Sequence, residues 1–149
     1  MNFGTSTVDI TPPAGVMLWG YEPRVATWVE HPLRAEALAC EASNGAWILI
    51  SADIGAFSRP LADAIRTDIA TRTQLPVQAI MLAATHTHSG PHVTDALWCE
   101  RSELESHYFR ELRASLLHVA EQAWQGRYPA RRKQQGAARL WSVFSWSVC

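Results

Sequence analysis

Lysine is almost absent from this chain of 149 residues: Lys133 is the only one, and arginine supplies the other basic side chains. Cysteine is scarce as well. Cys40, Cys99 and Cys149 are odd in number and form no C-x-x-C pair, which excludes a disulfide framework and a cysteine-based zinc site. No apolar run is long enough to span a bilayer, so no transmembrane segment is expected. The opening Met1-Asn2-Phe3-Gly4 lacks the basic and apolar regions of a signal peptide, and the chain as written is expected in the cytoplasm. A net charge of −1 argues against a nucleic-acid partner. What is present, 48% hydrophobic and 18% charged residues, is the composition of a folded globular domain rather than a disordered chain.

The charge is unevenly placed. All 14 acidic residues lie at or before Glu121, whereas Arg127, Arg131, Arg132, Lys133 and Arg139 follow it. The ending Leu140-Trp141-Ser142-Val143-Phe144-Ser145-Trp146-Ser147-Val148-Cys149 has no turn, cap or polar close. The chain is therefore expected to divide into residues 1–128, which read as one body, and an atypical basic, aromatic tail over 129–149, which reads either as a terminal strand or as a frameshifted or truncated end.

Within 1–128 the apolar patterning predicts an α/β fold. Phe3 to Ile10 reads as a strand closed by Thr11-Pro12-Pro13, and Ala14 to Pro32 as an ordered loop rich in Gly, Pro and aromatics. Arg34–Ala42 and Ala46–Ala52 read as a β-hairpin around Ser43-Asn44-Gly45. A helix follows, with Pro60 in its first turn, Leu61, Ile65 and Ile69 on one face, and Pro76 ending it. Ala79 to Ala84 is then a buried strand that completes a β-α-β crossover, so its partner strand is parallel. Ser102 and Glu105 form a capping box ahead of an amphipathic helix carrying Leu104, Tyr108, Leu112, Leu116, Val119 and Ala123, stopped by Gly126. The expected architecture is a mixed sheet with a hairpin, a crossover and a further helix. As a partial domain, it should leave a sheet edge and apolar surface uncovered.

Chemistry concentrates in Thr85-His86-Thr87-His88-Ser89-Gly90-Pro91, directly after the last strand. In an extended segment residues i and i+2 point the same way, so His86 and His88 could address one point. Two convergent neutral imidazoles make half of a zinc site. Asp53 ends the neighbouring strand at the same, carboxyl, edge, where open α/β sheets bind ligands. It could orient an imidazole or cap the segment that follows. Trp19 and Tyr21 could line an apolar pocket or simply pack, and Asp9 reads as fixing a turn. His31, His107 and His118 read as structural. A metallo-β-lactamase-like site would need Asp-His where this chain has Gly90-Pro91, and an amidohydrolase barrel would need far more chain.

Val8-Asp9-Ile10-Thr11-Pro12-Pro13, Gly15 with Met17, Gly20-Tyr21, His31-Pro32-Leu33-Arg34-Ala35, Ser51-Ala52-Asp53 and Ala84-Thr85-His86-Thr87-His88-Ser89-Gly90-Pro91 occur in the order found in a known family. Together they resemble the N-terminal part of the neutral/alkaline (non-lysosomal) ceramidases. The resemblance implies a zinc-dependent hydrolase that cleaves the N-acyl bond of ceramide-like lipids to a sphingoid base and a fatty acid. It maps a zinc ligand onto His86, and onto His88 the catalytic role of holding substrate and the developing oxyanion. The family's other ligands, a histidine, a glutamate and a tyrosine, come from segments well downstream. His92, His107 and His118 do not match those positions. The expectation is therefore a fragment that needs a further segment to complete its site and is inactive alone, or else a non-catalytic truncated or decayed gene product.

Overall fold

The computed structural model describes residues 1–93 and 102–130. Most of the basic, aromatic tail, and the segment 94–101, lie outside the described residues. Five strands and two helices follow one another as β1 (Asn2–Asp9), β2 (Arg34–Ala42), β3 (Gly45–Ala52), α1 (Arg59–Thr73), β4 (Ile80–Ala84), α2 (Glu103–Gln125) and β5 (Tyr128–Pro129). They form one mixed sheet in the order β4-β3-β2-β1-β5. The pairs β1/β2, β2/β3 and β1/β5 are antiparallel, whereas β3 and β4 are parallel across the α1 crossover.

Alternation sets the register. Ala35, Ala37 and Ala39 lie opposite Ala52, Ile50 and Ile48, and Ile48 lies opposite Ile80. These residues share one face, and they form a single buried cluster with Leu61, Ile65 and Ile69 of α1 and Leu112, Leu116, Val119 and Ala123 of α2. Alanines on β2 leave room for isoleucines on β3, so both helices settle closely on this face. The other face carries Phe3, Leu38, Trp47, Leu49 and Met81, none of them buried. β4 forms one edge of the described sheet.

Helix boundaries follow side-chain chemistry. The Ser58 hydroxyl accepts from the Leu61 N–H ahead of α1, and Ser102 with Glu105 completes both halves of the capping box ahead of α2. Three local expectations are corrected. α1 ends at Gln74, whose left-handed backbone (φ 60°) turns the chain before Pro76 is reached. Its side-chain amide donates to the Thr71 carbonyl at 2.7 Å, which satisfies one of the helix's last acceptors. Ala79 belongs to a short 3-10 turn, Val77–Ala79, so β4 begins at Ile80. Leu104 is exposed, because the first turn of α2 reaches out to the 14–32 loop near Gly15 rather than over the sheet.

Candidate functional site

The parallel pair β3/β4 carries both chemical segments to one edge of the sheet. Beyond β3 run Asp53, Ile54 and Gly55, and beyond β4 run Thr85, His86, Thr87 and His88. The two exits stay bonded after the strands end: Thr85 N–H donates to the Ala52 carbonyl at 3.0 Å and His86 N–H to that of Ile54 at 3.1 Å. These bonds place His86 against Gly55, whose carbonyl oxygen lies 2.7 Å from His86 Nδ1. A carbonyl only accepts, so Nδ1 carries a proton, and in a neutral ring the lone pair is then on Nε2. That neutral tautomer is the form in which an imidazole binds a metal.

His86 and His88 do meet, with ring centroids 5.0 Å apart at 69°. They do not meet by strand alternation. Regular strand ends at Ala84, and His86 adopts a left-handed backbone (φ 63°) that an L-residue enters at a cost of about 1–2 kcal/mol. The Gly55 bond and the Ile54 backbone bond together hold it there. His86 is the one histidine with this backbone among the described residues, where Tyr21 and Gln74 also adopt it.

His88 is held from the other side by the 14–32 loop. Tyr21 sets its ring edge-on to His88 at 4.7 Å. The Arg24 guanidinium lies 5.7 Å from the Tyr21 ring centre and donates to the His88 carbonyl at 2.6 Å. Gly20, at φ 75°, approaches so closely that a Cβ there would sit 2.7 Å from His88 Nδ1. That nitrogen is buried without a hydrogen-bond partner among the described residues. The loop is itself pinned: Trp19 N–H donates to the Gly90 carbonyl at 2.9 Å, and Met17 N–H donates to Glu105 Oε1 at 3.0 Å.

Glu105 thus serves two elements, since its other oxygen accepts from the Ser102 N–H and hydroxyl. Partial burial opposes its charge, but the Ser102 and Met17 N–H groups, the Ser102 hydroxyl and nearby His92 outweigh it and leave its pKa below the ordinary 4.5. Because the folded-state pKa is lowered, this stabilisation is present above the unfolded value and is lost as pH falls through the folded one. Urea midpoints measured between pH 6 and pH 3 are expected to drop less steeply for Glu105→Gln than for the unaltered chain. Parallel acid limbs would refute the assignment.

The other expected residues fall as follows. The Asp53 carboxylate accepts from the Arg34 N–H at 2.9 Å, tying the exit of β3 to the entry of β2, while the oxygen beside His86 is that of Gly55. Asp9 holds the Thr11 N–H at 2.8 Å, and that turn keeps its carboxyl below the usual range. His107 pairs with Glu111 one helical turn away at 3.2 Å, and His118 is exposed on α2. His31 lines a cavity of about 540 Å³ walled largely by the 14–32 loop itself, together with Leu18, Trp28, Leu33, Thr87 and Ser89. Trp19 and Tyr21 line a second, of about 250 Å³, with His92. Gly55, Gly20, Arg24 and Glu105 were absent from the sequence-based site. Gly55 and Gly20 offered no local sign, since both lie far from His86 and His88 along the chain.

Among the described residues no group of three or more His, Cys, Asp or Glu side chains is placed to hold a metal. A catalytic zinc site takes three protein ligands and leaves one position open. His86 suits such an ion through Nε2 and His88 stands beside it, so these residues fit part of a zinc site.

No protein-family model matches the chain, and no curated protein does. Solved structures do. A neutral ceramidase from Pseudomonas aeruginosa superposes with a TM-score of 0.65 at 23% identity over 86% of this chain and 22% of its own length. A ceramidase complexed with C2 gives 0.66 at 24% identity over the same shares. At these identities the likeness is one of fold, and this chain spans about a fifth of either structure.

Proposed function

We propose that this chain carries the histidine-bearing portion of a zinc-dependent amide hydrolase of the neutral ceramidase type. Its substrate class is N-acylsphingosine-like lipids, cleaved to a sphingoid base and a fatty acid. The observation that carries this reading is His86, held at a sheet edge with Nδ1 against the Gly55 carbonyl, in a fold similar to that of ceramidases. His86 would hold the ion through Nε2, with Gly55 keeping its ring in place. His88, clamped by Tyr21 and Arg24, would face the substrate amide. When bound, zinc supplies an activated water and polarises the carbonyl.

Two imidazoles fall short of a catalytic set, so the chain is proposed to bind zinc weakly and to release no fatty acid unaided. This deficit equally favours a second reading, a non-catalytic product that retains the turn without the chemistry. Zinc stoichiometry on the purified chain, with fatty-acid release from a short-chain fluorescent ceramide, tests both. The expected result is less than one equivalent of zinc, lowered further by His86→Ala, and no turnover. Adding the downstream ceramidase segment should raise both. Tight stoichiometric zinc with turnover by this chain alone would overturn the proposed dependence. Unaltered zinc uptake in His86→Ala would overturn the ligand, and no gain from the added segment would leave the non-catalytic reading.

A further inference from the structure

The 14–32 loop meets His88 through a strained tip. Gly20 and Tyr21 are consecutive left-handed residues, at φ 75° and 55°, and for Tyr21 that backbone persists only where its surroundings hold it. Just before the tip, residues 16–19 run antiparallel between 24–26 and 90–92, with bridges Met17–Val25 and Leu18–Pro91. His92 N–H donates to the Met17 carbonyl and Leu18 N–H to that of Arg24, both at 2.8 Å. The loop and the segment after His88 thus form one small assembly beside the main sheet.

Helix α2 fastens this assembly to the body of the fold. Glu105 Oε1 accepts from the Met17 N–H at 3.0 Å, while Oε2 accepts from the Ser102 N–H at 2.8 Å and its hydroxyl at 2.9 Å. Three residues on, the Tyr108 hydroxyl donates to the Ile10 carbonyl at 2.6 Å. That is the root of the loop, where Ile10 N–H bonds the Leu33 carbonyl at 2.9 Å. Residues three apart share a helix face, so α2 grips the loop at its root through Tyr108 and at its middle through Glu105. Capping the helix requires only one of the two carboxylate oxygens. The other reaches a backbone 88 positions away.

We propose that Glu105 is a positioning residue for His88, acting through Met17 and the Gly20–Tyr21 tip without touching the ring itself. Met17 lies three residues before Gly20, and a Cβ on Gly20 would sit 2.7 Å from His88 Nδ1. Movement at Met17 therefore passes to a tip already against the ring. His86 is seated separately, on the Gly55 and Ile54 carbonyls, and should not feel the change. This role deepens the hydrolase reading and rests on it for its catalytic meaning, but the coupling itself requires neither zinc nor ceramide.

The test is the imidazole NMR spectrum of the full, zinc-free chain, with the two rings assigned from His86→Gln and His88→Gln. Glu105→Asp keeps an acidic first turn on α2, yet its side chain is one methylene too short to serve Ser102 and Met17 together. The His88 ring signals should shift as Tyr21 leaves its edge-on place, those of His86 should stay, and the Met17 amide should exchange about tenfold faster. Ser102→Ala removes the capping hydroxyl and leaves the Met17 bond, so it should lower the urea midpoint without moving either ring. That contrast separates positioning from stability alone. Circular dichroism checks folding, and Glu105→Gln, whose single acceptor oxygen cannot take both places, is the substitute where Glu105→Asp does not fold. The proposal is overturned if His88 stays in place in the folded Glu105 variant, if both rings move together, or if Ser102→Ala moves His88 as far. Joined to the downstream segment, Glu105→Asp should lower turnover at unchanged zinc uptake. Absence of turnover in the unaltered joined protein would sink the hydrolase reading and leave the NMR result standing.

Discussion

Gly4→Ala is expected to destabilise the fold by about 3 kcal/mol, near the upper end of what overpacking costs. Gly4 sits on β1 where α2 crosses the sheet, and a Cβ there would fall on the Ala123 carbonyl oxygen, with the Arg127 nitrogen at 3.0 Å. All of the nearest atoms are backbone, so no rotamer change can relieve the overlap. Relief requires α2 to lift from β1, and with it Leu116, Val119 and Ala123 from the buried cluster. The backbone of Gly4 is not among the positive-φ glycines, so the penalty is steric. Gly45 is the matched comparison: at φ 150° a Cβ would meet nothing within 4 Å, and Gly45→Ala should cost backbone strain alone, about 1 kcal/mol. Urea midpoints of the two variants check the contrast. A Gly4→Ala midpoint equal to that of the unaltered chain would show that the helix does not press on β1 as described.

That close approach indicates which parts of the molecule the amino-acid order reveals. Hairpin, crossover and both helices were legible because each is written locally. Leu61, Ile65 and Ile69 recur at a helical period, Ser102 and Glu105 cap each other three residues apart, and β2 and β3 alternate around a tight turn. The site was legible only to its first half. His86 and His88 announce themselves by spacing, but the groups that set their chemistry come from elsewhere. Gly55 lies 31 residues before His86, and Arg24 lies 64 residues before His88. Glu105 reaches Met17 across 88 positions while also serving as a helix cap. No periodicity encodes such pairs, since they exist only once the sheet has brought its carboxyl edge together with the loop. The left-handed turn at His86 was hidden for the same reason. Its strain is set against bonds to Ile54 and Gly55, and nothing in the Thr-His-Thr-His run signals it.

Gly55→Ala tests that non-local support directly, and its effect should be local. Gly55 is buried, and a Cβ on it would overlap the Trp19 ring around Cγ and Cδ1. Trp19 must then leave the place where it packs at 5.0 Å from the His92 ring and where its N–H reaches Gly90. Gly20 and Tyr21, the next two residues, lose their purchase on His88, and the Gly55 carbonyl shifts beneath His86. Global stability should fall by about 1–2 kcal/mol. The Trp19 and Leu18 amides should exchange at least about tenfold faster, while those of Ile48 and Ile50 in the central strand stay protected. On the zinc reading proposed above, with His86 as ligand, affinity for the ion should drop about 10–100-fold, the loss expected when a partner that orients a ligating imidazole is disturbed. In a Trp19→Ala background the ring that causes the overlap is absent, so the added cost of Gly55→Ala should shrink, a coupling that a double-mutant cycle measures. Unchanged protection at Trp19, or equal costs in the two backgrounds, would mean that the loop and the histidine turn are not joined through this contact. The clamp on His88 would then rest on Arg24 and Tyr21 alone.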